Sequence, residues 1–103
     1  MSFKTETVDQ IRITDHADDT YALTRKYVER LLVGLQRAGA LNHNETWRDS
    51  FVKVWKPRYT RLLEGDILAF ELGGHAGAMW FDRDDLPELI EALQAYLGSP
   101  AQN

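Results

Sequence analysis

Few residues of this chain have side chains suited to covalent or metal chemistry, and their spacing supports neither. Ser50 lies seven residues from His43, but no glycine-flanked strand-to-helix elbow surrounds it to activate a serine nucleophile. His16, His43 and His75 have no partner at the i, i+4 spacing of helical metal ligands. Cysteine is absent, which excludes thiolate sites and disulfides. We therefore expect a protein that is not an enzyme and that uses neither a metal nor a cofactor.

The acidic run of residues 82–85, DRDD, is the remaining candidate for metal binding. A calcium-binding loop that started at Asp82 would need glycine at its sixth position and glutamate at its twelfth. Those positions hold Pro87 and Leu93. The pattern fails as a calcium loop, and capping of a following helix is the better interpretation.

A second kind of chemistry is suggested by residues 51–61, FVKVWKPRYTR, which place four basic side chains among aromatic residues. They belong to a wider basic region, residues 25–61, with nine bases, three acids and a net charge of +6. The flanking residues 1–24 and 62–103 carry −3 and −7. Basic side chains interleaved with aromatic ones are typical of surfaces that bind acidic proteins or nucleic acids.

Acidic protein is the partner that this composition favours. The acidic remainder of the chain opposes weak binding to a polyanion, whereas arginine and aromatic residues dominate protein interfaces. The predicted function is that of a small accessory protein that binds an acidic protein surface or associates with itself through its opposite charges. The candidate partner-binding residues are Lys26, Arg30, Arg37, Lys53, Lys56, Arg58, Trp55 and Tyr59.

Nucleic acid is the alternative partner, and it has a resemblance in its favour. Residues 23–41, LTRKYVERLLVGLQRAGAL, resemble the recognition helix of winged-helix DNA-binding domains. The resemblance implies that a basic helix meets DNA and that a following β wing contacts the backbone. The helix bases would be Arg25, Lys26, Arg30 and Arg37, and the wing bases Lys53, Lys56, Arg58 and Arg61. Winged-helix domains brace that helix with two earlier helices, and residues 1–19 are too short and too strand-like to supply them.

The elements that must position these residues begin with a strand over residues 7–13, where apolar and polar residues alternate. A helix is predicted over residues 20–38, with Asp18 or Asp19 as its N-cap. Apolar residues follow the helical period on one side, while Lys26, Arg30 and Arg37 line the other as a basic ridge. Gly34 weakens this helix by ~1 kcal/mol relative to alanine. Gly39 is predicted to end it in the left-handed conformation.

Residues 40–50 are predicted to form a loop, and a three-stranded antiparallel meander follows over residues 51–81. As a strand, the first segment has Phe51, Lys53, Trp55 and Pro57 on one face and Val52, Val54 and Lys56 on the other. The alternative is a helix, which would align Trp47, Phe51, Val54 and Trp55, but the β-branched and aromatic composition favours the strand. Pro57 predicts that this strand lies at an edge or stops there. The other strands, residues 67–72 and 76–81, flank Gly73-Gly74, which predicts a tight hairpin. A C-terminal helix then starts after Asp84 as N-cap and ends at Gly98.

The predicted fold is therefore α+β: a small two-layer domain in which two helices cover one face of the sheet. One domain accounts for residues 1–103, with ends at 1–6 and 99–103 that we expect to be disordered. Neither a signal peptide nor ~18 consecutive apolar residues is present, so we expect a cytoplasmic protein without a membrane partner. The residues predicted to be buried are Leu31, Leu35, Ile67, Phe70, Leu89, Ile90 and Leu93.

Overall fold

The computed structural model describes residues 9–39, 41, 46–57, 66–74 and 77–99. Their elements are β1 (Gln10–Thr14), β2 (Thr20–Thr24), α1 (Arg25–Ala38), β3 (Thr46–Arg48), β4 (Val52–Trp55), β5 (Ile67–Leu72), β6 (Ala78–Asp82) and α2 (Leu86–Gly98). This is an α+β domain, as predicted. The predicted disordered ends lie outside the described residues except for Ser99, whose N–H donates to the Tyr96 carbonyl at 3.1 Å.

The larger sheet is antiparallel and has the strand order β3-β4-β5-β6. The predicted meander corresponds to β4, β5 and β6, but the prediction of a loop over residues 40–50 is wrong where β3 forms. Trp47 of β3 pairs with Val54 of β4, so β4 is not an edge strand. The alternative prediction from Pro57, that the strand stops there, is confirmed, since β4 ends at Trp55, two residues before Pro57. The alternation of Val52 and Val54 against Lys53 and Trp55 also matches the strand prediction.

The prediction of a helix from residue 20 is wrong, because residues 20–24 form β2. β2 pairs with β1 in a two-stranded hairpin that places Leu23 opposite Ile11 and Tyr21 opposite Ile13. These cross-strand apolar pairs stabilise the hairpin, and Leu23 and Ile13 are buried in the core. Asp18 has a φ of 63° and helps to form the hairpin turn instead of capping a helix.

Asp15 joins this hairpin to the outer edge of β6. Its side chain is buried, and one carboxylate oxygen accepts from the N–H groups of Ala17 and Asp19 at 3.0 and 2.9 Å. The other oxygen accepts from the N–H of Trp80 at 3.0 Å. The N–H of His16 donates to the Trp80 carbonyl at 2.7 Å. The polar backbone groups of β6 at this point are therefore satisfied by the hairpin.

The helices lie side by side, and their buried residues share one apolar core with buried residues of the large sheet. α1 packs on β4 and β5, and α2 packs beside α1. Of the residues predicted to be buried, five are confirmed, namely Leu31, Leu35, Ile67, Phe70 and Leu93. Leu89 and Ile90 are only half-buried, because α2 inserts Leu86 and Leu93 into the core and leaves the flanks of its apolar stripe accessible.

Gly34 is the point of closest approach between α1 and the sheet. A Cβ atom at Gly34 would lie 2.9 Å from Cγ2 of Val52 and 3.1 Å from Cγ2 of Val54. The glycine that weakens the helix locally is thus required for α1 to settle on β4. Gly39, by contrast, has a φ of −61°, so the predicted left-handed termination at this residue is wrong.

Two further local predictions are corrected by the backbone. The link between β5 and β6 spans Gly73 to Gly77, with φ of 83° at Gly74 and 84° at Gly77, so it is longer than a tight two-residue hairpin. Asp84 is not the cap of α2. The carboxylate of Asp82 accepts from the N–H of Asp84 at 3.0 Å and starts a short 3-10 turn over Arg83–Asp85, from which α2 continues.

Arg83 fastens the C-terminal end of α1 to the start of β5. Its guanidinium donates to the carbonyls of Ala38 and Leu41 at 3.0 and 3.1 Å and to a carboxylate oxygen of Asp66 at 2.7 Å. Lys56 forms an ion pair with the other carboxylate oxygen of Asp66. The helix dipole favours a cation at a helix C-terminus, so Arg83 stabilises α1 while it neutralises Asp66.

At the other end of the helix layer, Arg25 binds the C-terminal end of α2. Its guanidinium donates to the carbonyls of Leu97 and Ser99 at 3.1 and 2.7 Å, at the C-terminal end of α2. It also pairs with Asp9 at 2.5 Å and lies 4.8 Å from the ring centroid of Tyr96. Each helix therefore has its last carbonyls bound by an arginine from the beginning of the other helix.

Acid should destabilise the fold through the carboxylate of Asp66. The hydrogen bond from Lys56 and that from Arg83 lower the pKa of Asp66 below 3.8, although partial burial opposes the shift. A group with a lowered pKa in the folded state stabilises the fold above its unfolded pKa, and the contribution is lost as pH falls through the folded value. We expect Asp66→Asn to lower the free energy of unfolding at pH 7 and to flatten its decline below about pH 4.

Urea unfolding measured from pH 7 to pH 2 tests this expectation. Glu91→Gln, which neutralises an exposed carboxylate in the middle of α2, is the matched control and should follow the wild type. An Asp66→Asn curve parallel to that of the wild type at every pH would contradict the role assigned to this ion-pair cluster.

Gly34→Ala should destabilise the protein although alanine is the better helix former. The added methyl group meets two β-branched side chains held by the sheet, and overpacking of this kind costs ~1–3 kcal/mol. Gly39→Ala is the control, because a Cβ atom there meets nothing within 4 Å and its backbone is right-handed helical. Chemical denaturation should show a loss for Gly34→Ala and no loss for Gly39→Ala, and equal stability of the two variants would refute the close approach.

Candidate functional site

The basic ridge predicted on α1 is present, and it includes one apolar residue. Lys26 and Arg37 are exposed and Arg30 is half-buried. Val33, which lies three residues after Arg30 and four before Arg37, shares this side of the helix and is 41% exposed. The ridge is therefore a mixed cationic and apolar stripe.

The turn between β3 and β4 brings Phe51 beside this stripe. The carboxylate of Asp49 accepts from the N–H groups of Phe51 and Val52 at 2.7 and 2.9 Å, and these two bonds lower the pKa of Asp49. The N–H of Gly73 donates to the Phe51 carbonyl at 2.7 Å. Both backbone polar groups of Phe51 are thus bound, while its side chain remains 48% exposed.

The arginines of the ridge rest on aromatic rings. The guanidinium carbon of Arg30 lies 4.1 Å from the ring centroid of Phe51 and 5.6 Å from that of Tyr27. That of Arg37 lies 5.9 Å from the ring centroid of Trp47. Contact with a ring restricts the arginine rotamers, and a guanidinium over a ring can still donate hydrogen bonds from its rim.

These contacts define one continuous patch, called here the cation–aromatic surface, which consists of Arg30, Val33, Arg37, Trp47 and Phe51. Val33 and Phe51 are the two large hydrophobic residues classed as exposed among the described residues, and both lie in it. Arg30 and Arg37 take part in none of the ion pairs within the described ranges. The patch therefore combines two arginines outside any of these ion pairs with accessible apolar surface, and the positive charge of Arg30 also helps to lower the pKa of the neighbouring Asp49.

The other predicted site residues do not join this patch. Lys53 and Trp55 lie on the opposite face of the sheet, where the Lys53 ammonium is 4.9 Å from the Trp55 ring centroid. Lys56 is neutralised by Asp66. Arg58 and Tyr59 lie outside the described residues. The described members of the predicted set are thus divided between two faces, and of these only Arg30 and Arg37 contribute to the cation–aromatic surface.

The fold also separates the two signs of charge. β3 and the turn that follows it lie at one edge of the large sheet, and α1 reaches them through Arg30 and Arg37. The acidic residues from Asp82 to Glu91 follow β6, the strand at the other edge. This acidic segment therefore starts at the sheet edge opposite to β3, whereas Asp49 is a carboxylate that interacts with Arg30.

A shallow cleft of about 510 Å³ opens on the other side of the same turn. Its lining residues are Arg48, Asp49, Ser50, Phe51, Val52, Lys53, Glu71 and Gly73. Positive and negative side chains alternate around it, and the Asp49 carboxylate already accepts from two backbone N–H groups. The cleft therefore offers no concentrated charge for a small ion and no enclosed space for a substrate.

Within the described residues no three histidine or acidic side chains lie close enough together to hold a metal ion. His16 is exposed in the turn of the β1–β2 hairpin, whereas His43 and His75 lie outside the described ranges. Neither described helix is long and apolar enough to cross a membrane.

The predicted partner-binding residues did not include Val33, Trp47, Arg48 or Phe51. Val33 could have been found, since it interrupts the polar side of α1 between Arg30 and Arg37 at helical spacing. Trp47 lay in a predicted loop, so its pairing with β4 and its position below Arg37 had no signal. Phe51 is turned outwards because the bonds of its backbone to Asp49 and Gly73 shape the turn.

In comparisons with known proteins, no protein-family model, curated protein or solved structure matches the chain.

Proposed function

We propose that the protein is a small, non-enzymatic accessory protein that binds an acidic protein partner through the cation–aromatic surface. The absence of cysteine is compatible with a reducing compartment, and we place this activity in the cytoplasm. The observation that carries the proposal is the combination of an exposed Phe51 on a hydrogen-bonded backbone with a stacked, ion-pair-free Arg30. Aromatic residues and arginine held in advance in this way are the usual hot spots of protein interfaces.

The chemistry of the surface specifies the kind of partner. Carboxylates accept two parallel hydrogen bonds from a guanidinium, and the planar group is well suited to them when stacking has already oriented it. Val33 and Phe51 add apolar contact between the charges. An acidic segment that also carries apolar side chains would satisfy both properties, and the acidic α2 side of a second copy is one such surface.

A second candidate, nucleic-acid binding, is supported by the separation of charge across the fold. The acids after β6 lie at the sheet edge away from Arg30 and Arg37, which reduces their repulsion of a polyanion. The winged-helix resemblance does not extend to the surroundings of α1, because residues 10–24 form a β-hairpin where bracing helices would be needed. Trp47 and Phe51 also lie beside the ridge arginines, which leaves less of each ring for base stacking.

Charge reversal on the ridge tests the proposed function. Arg30→Glu combined with Arg37→Glu should weaken partner binding by about tenfold for each arginine, because two attractive contacts become repulsive. The partner is first captured from an extract of the source cell with the wild-type protein and identified. Its Kd for the wild type and the variants is then measured by titration calorimetry with purified proteins.

Arg12→Glu provides the control, since it makes the same charge change at an exposed position of β1, outside the cation–aromatic surface. Thermal melting must show that all variants fold. If the doubly reversed variant binds as tightly as the Arg12→Glu variant, or if the captured partner contacts the protein only through other residues, the proposal is wrong.

Oligonucleotide binding at two salt concentrations distinguishes the second candidate. Because the basic residues are divided between two faces, we expect no binding of duplex or single strands at ~200 mM salt and at most weak binding at low salt. Binding whose log K falls linearly with log salt, at about −0.9 per phosphate on duplex, would favour nucleic acid instead. Loss of that binding in the doubly reversed variant would assign it to the ridge.

A further inference from the structure

The edge of the large sheet beside the cation–aromatic surface has backbone groups available for pairing. β3 pairs with β4 on one side, and no strand among the described residues pairs with its other side. The N–H of Asp49 donates to the Val52 carbonyl at 3.0 Å, which identifies that pair as hydrogen-bonded. Residues alternate along an antiparallel ladder, so Trp47 and Val54 form the next hydrogen-bonded pair.

It follows that Thr46 and Arg48 turn their N–H and C=O groups away from β4, towards the outer edge. Their cross-strand partners, Trp55 and Lys53, occupy the pairs without mutual hydrogen bonds. The described part of β3 thus presents the backbone pattern that an additional strand requires. The opposite edge of the sheet does not, because Asp15 and His16 bind the N–H and carbonyl groups of Trp80.

The side chains around this edge determine which strand it would accept. A strand laid beside β3 points its residues alternately towards the helix layer and towards the other face of the sheet. Arg37, above Trp47, lies on the first side, and exposed Arg48 lies on the second. Carboxylates at successive positions of the strand would therefore meet a cation on both faces.

We propose that an acidic, extended segment of the protein partner adds to β3 as an edge strand. This inference rests on the proposed function, for which it specifies the conformation of the ligand. Main-chain hydrogen bonds to Thr46 and Arg48 supply the pairing, and Arg37 and Arg48 supply the charge selectivity. A second copy of β3 is disfavoured at this edge, because it would bring the same arginines together.

Peptide binding followed by NMR tests this mode directly. The ligand is a synthetic eight-residue peptide in which pairs of successive glutamates alternate with pairs of valines, so that carboxylates lie on both faces of the strand. Its control is the same peptide N-methylated at every residue, which has no N–H to donate along either edge. We expect the unmodified peptide to shift the amide signals of Thr46 and Arg48 and the methylated peptide to leave them in place. Absence of those shifts with the unmodified peptide at millimolar concentration would overturn the inference.

Arg48→Pro supplies the matched change in the protein. Proline removes an outward N–H and is tolerated at the solvent side of an edge strand, so binding should weaken by about tenfold while the β3–β4 pair persists. Arg48→Gln removes the same charge but keeps the N–H, and it should weaken binding less. The amide signals of Trp47 and Val54 report whether β3 remains paired. Equal loss of peptide affinity in the two variants would mean that Arg48 contributes only its charge, and it would contradict main-chain pairing at this residue.

The outcomes separate this inference from the proposed function. Shifts of the Arg30 and Arg37 side-chain signals without shifts of the Thr46 and Arg48 amides would leave the acidic-partner function standing and refute strand addition. If neither set shifts, both fail for this ligand class. If the peptide binds and sedimentation shows that the protein self-associates through β3, the choice of an acidic partner over a second copy is refuted.

Discussion

The guanidinium of Arg83 joins three parts of the fold that are distant along the chain, and the position of the helix layer depends on it. It binds the terminal carbonyls of α1 and the carboxylate of Asp66 at the start of β5, while its own backbone begins the turn into α2. Arg25 closes the other end of the layer on the last carbonyls of α2. The two helices, which run antiparallel, are in this way held at both ends of the layer by cations that suit their dipoles.

The position of α1 in turn creates the candidate site. Gly34 allows the helix to approach β4 so closely that Arg30 and Arg37 reach the rings of Phe51 and Trp47. A larger residue at Gly34 would lift the helix and separate the guanidinium groups from the rings beneath them. The packing of the core and the geometry of the proposed binding surface are therefore consequences of the same short distance.

Local pattern was sufficient for the α+β class, for most of the core and for the basic ridge of α1. Leu31, Leu35 and Leu93 follow the helical period, and burial enforces that period strictly. The sequence pattern predicted the wrong element where pairing between strands determined the secondary structure. Residues 20–24 have both helical and extended character, and the pairing of Leu23 with Ile11 selects the strand. Three-residue β3 is too short to produce any alternation that a sequence window could detect.

The basic residues of the candidate site could be predicted from the sequence, but the aromatic rings beside them could not. Lys26, Arg30 and Arg37 fall on one side of a helix by spacing alone, whereas the rings of Phe51 and Trp47 come from a turn and a strand that follow the helix in the chain. Nothing in the sequence indicated that the basic region is divided between two faces of the fold. Whether Lys56 is available or neutralised depends on Asp66, and that contact exists only once β5 is in place.

The β3 and β6 edges of the large sheet differ in accessibility, and this difference affects the stoichiometry of any complex formed by strand pairing. A sheet with two accessible edges can accept one strand after another on either side and grow into a filament. Here the hairpin binds the outer backbone groups of β6 through the buried carboxylate of Asp15, so extension in that direction is closed at the described strand. Pairing at the remaining edge would use the accessible edge of the large sheet among its described strands, so that one strand would be added to this sheet for each copy of the chain.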